Sequence, residues 1–155
     1  MKEFLRKTLK IKKYISIVTA LLIICLPLTA QIKIGNYQFK DGGQYVGELK
    51  GKKPNGKGKT TFQNGDIYEG QYVKGKRQGE GTYIFRDGEK YVGDWFQDQQ
   101  HGMGTFYFMN NNRYEGMWYA DYQQGDGIMY YYNGDVYHGQ WHEDQRSGKG
   151  TYTWK

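Results

Sequence analysis

The chain repeats itself every 23 residues. The segment YEGQYVKGKRQGEGTYIFRDGEK, residues 68–90, is followed without a gap by YVGDWFQDQQHGMGTFYFMNNNR, residues 91–113, and the two align position by position. Periods of about 20 to 50 residues are typical of architectures in which each unit packs mainly on its neighbours. The period therefore predicts a repeat array rather than an ordinary globular domain.

A framework of tyrosine, glycine and aromatic residues marks each unit. A unit opens with Tyr, a Gly stands two positions later, and a Trp follows two positions after that in the last three units; Leu49 and Tyr72 take the Trp position in the first two. A Gly-x-Gly pair and an aromatic run such as TYIF complete the unit. The framework residues are Tyr45, Gly47, Tyr68, Gly70, Tyr91, Gly93, Trp95, Tyr114, Gly116, Trp118, Tyr137, Gly139 and Trp141.

The framework fixes the predicted organisation of the chain. Five units cover residues 45–67, 68–90, 91–113, 114–136 and 137–155. The preceding segment, residues 31–44, matches the second half of a unit, because Gly35 and Tyr37 correspond to Gly81 and Tyr83 after a shift of two periods. We therefore expect an array that begins with half a unit.

The spacing within a unit predicts two β-strands. Tyr, Gly and Trp at alternate positions have the period of two that gives a strand one aromatic face, and the pattern returns after the Gly-x-Gly pair. The segments QNGD, RDGE and YNGD separate successive units. Asn-Gly and Asp-Gly favour type I′ turns, which need positive φ at both central residues. The sequence thus predicts an all-β fold, an elongated and twisted single antiparallel sheet of ten or eleven strands.

The same alternation assigns the two faces of this sheet. On one face, called the ring face below, aromatic side chains of one strand should lie over the glycines of its neighbour, where no Cβ obstructs them. In the second unit the ring face holds Tyr68, Gly70, Tyr72, Gly81, Tyr83 and Phe85. The opposite face holds Glu69, Gln71, Thr82 and Ile84 and is expected to be polar.

The segment YEGQYVKGKRQGEGTYIFRDG resembles the MORN repeat, whose units read roughly Tyr-x-Gly-x-Trp, a polar stretch, Gly-x-Gly-x-aromatic and Asx-Gly. The resemblance covers residues 33–155. Leu49, Asn111 and Ile128 depart from the pattern at an aromatic, a turn glycine and a threonine position. The resemblance implies a hairpin sheet used for protein contacts, self-association or membrane attachment, and it implies no catalytic site.

The first thirty residues differ from the rest. A basic start, an apolar run of about 13 residues and a small residue at Ala30 are typical of a secretory signal peptide. We therefore predict an N-terminal signal helix over residues 1–30, cleavage after Ala30, and an extracytoplasmic location, periplasmic or secreted. An uncleaved membrane anchor is the alternative. A lipoprotein signal at Cys25 is disfavoured, because the bulky Ile24 precedes it.

The leader also accounts for the high isoelectric point. The whole chain has 22 Lys/Arg against 16 Asp/Glu, and removal of the leader's six basic residues and one acid leaves 16 against 15. A net charge of +1 gives no reason to expect a nucleic-acid partner. The only cysteine lies in the leader, so the remaining chain offers no disulfide and no thiolate.

Residues that could carry chemistry all have a simpler structural explanation. GKKPNGKGKT, residues 51–60, has Gly58 where a phosphate-binding loop needs Ser or Thr, and it is in phase with four other units. His138 and His142 would lie about 13 Å apart on one strand, too far to share a metal. Ser147 belongs to a repeated loop. We predict no enzyme activity, no metal and no cofactor.

Charge is distributed unevenly along the array. The unit 45–67 carries a net charge of +3, whereas the unit 114–136 has four acids and no base. Basic residues of the first two units form a candidate contact with an anionic membrane surface or an acidic partner. They are Lys50, Lys52, Lys53, Lys57, Lys59, Lys74, Lys76 and Arg77.

These features favour a non-enzymatic interaction scaffold. Its last strand, GTYTWK, is expected to leave backbone groups unpaired, which would allow self-association or the docking of a partner strand. Peripheral membrane attachment is one alternative. Binding of cell-envelope carbohydrate by the aromatic face is another, and burial of Trp95, Trp118 and Trp141 would exclude sugar stacking on those rings.

Overall fold

The computed structural model describes residues 32–155. The predicted signal helix and its cleavage site lie outside the described residues, so both stay predictions. In the part of the chain that is described, no helix is long and apolar enough to cross a membrane.

Residues 32–155 form one open antiparallel sheet whose eleven strands neighbour one another in chain order. This confirms the predicted fold class and strand number. The strands are β1 Lys33–Gln38, β2 Gln44–Lys50, β3 Lys53–Thr61, β4 Ile67–Val73, β5 Lys76–Ile84, β6 Lys90–Phe96, β7 Gln99–Tyr107, β8 Arg113–Tyr119, β9 Tyr122–Tyr130, β10 Val136–His142 and β11 Gln145–Thr153.

Each unit is a hairpin with a bulge at the same place. In the β4–β5 hairpin, Gly70 pairs with Gly81 and Tyr72 pairs with Arg77. The chain advances two positions between these pairs on β4 but four on β5, so the extra residues form a bulge on β5. Gly79 lies in the bulge with a φ of +82°, a conformation that costs residues other than glycine free energy. The first glycine of each Gly-x-Gly pair is therefore required by the backbone conformation of the bulge.

The second glycine of each pair leaves space for the tyrosine ring of the neighbouring strand. A Cβ placed on Gly81 would overlap the Tyr68 ring, so only glycine lets the ring lie flat on the sheet. The Tyr68 hydroxyl then reaches the bulge and donates a hydrogen bond of 3.1 Å to the carbonyl oxygen of Gln71. The equivalent tyrosines of the other four units make the same bond: Tyr45 to Glu48, Tyr91 to Asp94, Tyr114 to Met117 and Tyr137 to Gln140.

The tyrosine and tryptophan rings interlock across units to form the core. Tyr91 makes an edge-to-face contact with Trp95 of its own unit at 5.3 Å between centroids, and a second with Trp118 of the next unit at 5.2 Å. Trp118 in turn donates from its indole nitrogen to the carbonyl oxygen of Gly104 at 3.2 Å. Each Trp thus joins two hairpins, which is how a single-layer sheet obtains a continuous core.

The turns between units differ from the prediction. In the Asn64–Gly65 turn, Gly65 N–H donates to Phe62 O at 3.1 Å, and only Gly65 has a positive φ, +94°. One positive φ fits a type I turn followed by a glycine bulge, so the predicted type I′ geometry is wrong there. Asn111 takes the glycine position of its turn with a φ of +62°, a conformation that asparagine tolerates.

Paired positive φ values occur instead at the other end of the hairpins. The turn inside the third unit has Gln97 at +54° and Asp98 at +76°. The preceding hairpin offsets this strain, because Asp98 N–H donates to Arg77 O at 3.1 Å and Asp98 Oδ1 accepts from Arg77 N–H at 2.8 Å. The strained turn residue also binds adjacent units together.

Candidate interaction surfaces

The framework residues predicted as the repeat signature lie inside the sheet's aromatic layer. Trp95, Trp118 and Trp141 are 4%, 5% and 5% exposed, and the tyrosines that open the units are buried as well. A sugar ring needs an open aromatic face to stack on. With so little of each ring exposed, carbohydrate stacking on these three tryptophans is excluded.

At the edge that holds the turns between units, a buried carboxylate links neighbours. Asp66 accepts a hydrogen bond of 2.6 Å from the Tyr83 hydroxyl and one of 2.9 Å from Arg86 N–H. Burial by itself would raise the pKa of Asp66, but these donors outweigh it and hold the pKa below its ordinary value. Asp135 repeats the arrangement with Tyr152 and Lys155.

At the opposite edge, the turns inside the hairpins change charge along the sheet. Lys50 and Lys53 are paired across the first of these turns. Lys74 lies in the second turn and Lys76 directly follows it. The corresponding turns of the later units carry Asp98, Asp121 and the Glu143–Asp144 pair instead. Five exposed lysines, the four above and Lys52, thus lie together at one end of this edge.

Arg77 does not belong with these lysines. Its guanidinium carbon lies 4.3 Å from the centroid of the Trp95 ring, and a guanidinium nitrogen donates to Asp98 O at 2.6 Å. Its Nε is also 3.6 Å from Asp98 Oδ1. The side chain is 20% exposed and is already engaged within the chain, which sets it apart from the five turn lysines.

Lys57 and Lys59 are separated from the turn lysines. They project from the opposite face of β3, where Lys57 pairs with Gln71 and Lys59 pairs with Glu69 across β4. The surrounding groove is also lined by Glu48 and Glu80. This surface is mixed in charge, and it does not extend the basic edge.

Apolar side chains are exposed on the opposite face of the third and fourth units. Phe96 is 49% exposed and Tyr119 is 62% exposed, and His101 lies between them with centroid distances of 5.5 and 5.1 Å. Beside them, exposed Met103 is the direct cross-strand partner of exposed Met117. We name these five residues the opposite-face cluster. The expectation of a polar opposite face is wrong for these two units.

The ring face contains a groove of about 570 Å³ that is centred on the third and fourth units and extends into the fifth. It is lined by half-buried phenylalanine rings, by the buried side chains of Gln100 and Gln123, and by two exposed carboxylates. The remaining lining residues are Phe85, Phe106, Phe108, Trp118, Asp121, Met129, Trp141 and Asp144.

The repeat geometry agrees with an independent comparison. The family model of the MORN repeat matches residues 45–67, 68–90, 91–113, 114–136 and 137–155, which together make up more than half of the chain. The chain belongs to the MORN repeat family. MORN repeats commonly contact proteins or membranes, and their scaffold is generally non-catalytic. No curated protein matches the chain.

Sequence reasoning missed the opposite-face cluster, although a signal for it exists. Phe96 and Tyr119 directly follow the tryptophans of MORN repeats three and four, so strict alternation places them on the opposite face. The corresponding residues are Lys50, Val73 and His142 in the other repeats. Comparing that single repeat position across units, instead of averaging a face over one unit, would have located the aromatic pair.

The residues considered for chemistry remain apart in this MORN array. Ser147 pairs with Gln140 across the β10–β11 hairpin, and the His142 ring nitrogen Nδ1 lies 3.2 Å from Gln124 Nε2. Within residues 32–155, no group of three or more His, Cys, Asp or Glu side chains is arranged to hold a metal ion. The surfaces described above are therefore the features from which a function can be argued.

Proposed function

We propose that the protein is a non-enzymatic, extracytoplasmic MORN scaffold that mediates protein–protein interaction or self-association. The observation that carries this proposal is the opposite-face cluster. Exposed aromatic and methionine side chains grouped on one face are characteristic of contact sites, and these residue types are enriched at protein interfaces. Methionine also adapts its shape to a partner at low cost.

Removal of the aromatic pair tests the proposal. The double variant Phe96→Ser/Tyr119→Ser should reduce self-association in sedimentation velocity across a concentration series, or reduce cross-linking to a partner in the native envelope. Tyr132→Ser is the matched control, because Tyr132 is 77% exposed in a turn outside the cluster. Equal behaviour of wild type and both variants in both assays would contradict the proposal.

The extracytoplasmic part rests on the predicted leader and needs its own measurement. Cell fractionation combined with N-terminal sequencing should recover a chain that begins at Gln31 outside the cytoplasm. A chain that keeps Met1 and stays in the cytoplasmic fraction would refute this location without bearing on the scaffold.

Peripheral attachment to an anionic membrane is a second candidate, and the five turn lysines favour it. The two basic turns lie two strands apart, about 10 Å, so their side chains can meet one flat surface. Each lysine near an anionic surface contributes up to about 1 kcal/mol of binding free energy. We expect the whole array to bind phosphatidylserine vesicles at low salt and to leave them at high salt.

A matched pair of variants tests this second candidate. Lys50→Gln/Lys53→Gln should weaken vesicle binding, whereas Lys57→Gln/Lys59→Gln, with the same change of charge on the mixed groove, should have less effect. Binding that is absent at low salt, or equally reduced by both variants, would reject attachment through the turn edge.

A further inference from the structure

The second repeat shows what the ring face can hold at each unit boundary. There the guanidinium group of Arg77 lies over Trp95 and bonds to Asp98, the third residue after that tryptophan. Aromatic ring, carboxylate and carbonyl oxygen together form a site for a planar cation. The chain fills this site with its own side chain.

The next two unit boundaries repeat the tryptophan and the aspartate of this site but lack the arginine. Trp118 and Asp121, and likewise Trp141 and Asp144, have the spacing of Trp95 and Asp98. Asp121 Oδ1 accepts from Gln100 N–H at 2.7 Å and Asp144 Oδ1 accepts from Gln123 N–H at 2.8 Å, as Asp98 Oδ1 does from Arg77 N–H. Neutral Gln100 and Gln123 occupy the position of Arg77.

This substitution coincides with the ring-face groove. Gln100, Gln123, Asp121 and Asp144 all line it, and the two carboxylates are exposed. Among residues 32–155, neither carboxylate forms an ion pair. The nearby Arg146 is engaged elsewhere, because its guanidinium carbon lies over the rings of Tyr137 and Tyr152, 5.2 and 5.9 Å from their centroids.

We propose that the ring-face groove of repeats three to five binds arginine side chains of a partner protein. The partner's guanidinium groups would bond to the carboxylates of Asp121 and Asp144 and lie over the aromatic rings that line the groove, as Arg77 lies over Trp95. Arginine fits better than lysine, because its planar fork can stack on a ring and bond to a carboxylate at once.

The repeat also sets the spacing of the two arginines. Equivalent sites in neighbouring hairpins are two strands apart, about 10 Å. A polyproline II segment rises about 9 Å in the three residues that return a side chain to the same side. The groove therefore suits an Arg-x-x-Arg segment. This inference deepens the proposed scaffold function, and it uses the face away from the opposite-face cluster.

The four tryptophans provide a direct test. Titration of the folded chain with the peptide acetyl-Arg-Pro-Pro-Arg-amide should shift the indole N–H signals of Trp118 and Trp141 in NMR spectra. The Trp95 signal should stay in place, because Arg77 already fills its site. Arg77→Gln should make Trp95 respond as well.

Two sets of variants complete the test. Gln100→Arg/Gln123→Arg should fill the groove from within and abolish the shifts, as Arg77 does at Trp95. Asp121→Asn/Asp144→Asn keeps the Oδ1 acceptors of the turns and should weaken peptide binding about tenfold through loss of charge. Asp87→Asn/Asp126→Asn, the same charge change at exposed carboxylates outside the groove, is the control.

Three results would overturn the inference: no shift at any tryptophan, an equal shift at Trp95 in the wild-type chain, or equal weakening by the two Asp→Asn pairs. Each of these results leaves the sedimentation and cross-linking test of Phe96→Ser/Tyr119→Ser unaffected. Failure of the groove and failure of the scaffold proposal are therefore distinguishable.

Discussion

The ring of Tyr68 occupies the space that a side chain on Gly81 would need, and its hydroxyl is bound 3.1 Å away to Gln71 O. Ring and glycine are thus a matched pair, one on each strand of a hairpin. The same pair recurs in all five units.

Substitutions at this pair should distinguish the contribution of ring packing to stability from that of the tyrosine hydrogen bond. Gly81→Ala should lower the free energy of unfolding by about 3 kcal/mol, because the buried Tyr68 ring has nowhere to move. Tyr68→Phe, which removes only the hydroxyl, should cost about 1 kcal/mol. Urea unfolding measures both. Thr82→Ala, on the other face of the same strand, is the control, and a loss as large as that of Gly81→Ala would contradict the role of the ring.

Arg77 should stabilise the array rather than bind a membrane. Arg77→Gln removes the cation from Trp95 and the hydrogen bond to Asp98, and it should lower the free energy of unfolding by about 1–3 kcal/mol. Lys76→Gln removes the same charge from an exposed neighbour and should have little effect. If the two variants lower the thermal unfolding temperature equally, the effect comes from the lost positive charge, and the contacts of Arg77 with Trp95 and Asp98 are not its cause.

Asp66 should give the fold an acid-sensitive component. Its pKa is lowered in the folded chain, so its ionised form stabilises the fold at pH values above the ordinary aspartate pKa of about 3.9. This contribution is lost as the pH falls through the folded-state pKa. The difference in unfolding free energy between wild type and Asp66→Asn should therefore be largest near neutral pH and shrink below about pH 4.

The Tyr83 hydroxyl is the donor to test beside it. Tyr83→Phe removes the hydrogen bond to Asp66 and should move the acid unfolding limb of the chain to higher pH. A difference between wild type and Asp66→Asn that stays constant into the acid range would refute the assignment.

The buried tyrosines should resist ionisation until the sheet opens. Burial raises the pKa of Tyr45 to about 12 and raises the pKa of Tyr68, Tyr91 and Tyr114 above the ordinary value as well. For a raised phenol pKa, the stabilising contribution is complete below about pH 10 and is lost as the pH rises through the folded-state value.

Tyrosinate absorbance followed through an alkaline titration measures this effect. Part of the tyrosine population should ionise only together with loss of the folded signal, whereas the urea-unfolded chain should titrate as one population near pH 10. A folded chain that titrates like the unfolded one would contradict burial of these rings.

The sequence by itself determined the repeat, the hairpins and the pairing of glycine with tyrosine. These features are local, because a period of two places a side chain on a face and a missing Cβ leaves room for a ring, whatever the rest of the chain does. Counting units predicted ten or eleven strands, and the sheet has eleven.

The tertiary structure decided which positions are available to a partner. Arg77 and Lys76 are adjacent and equally basic in sequence, yet the stacking of the next hairpin places Trp95 and Asp98 beside Arg77 alone. The sequence alone does not show whether a charged side chain is already neutralised by a neighbouring unit.

The turns show the same division. Asn64–Gly65 and Gln97–Asp98 differ in their intrinsic tolerance for positive φ, and local propensity favours the first for a paired positive conformation. The structure places that conformation at Gln97–Asp98, because hydrogen bonds from the preceding hairpin hold Asp98 there. Contacts between units, which a single unit's sequence does not contain, outweighed the local preference.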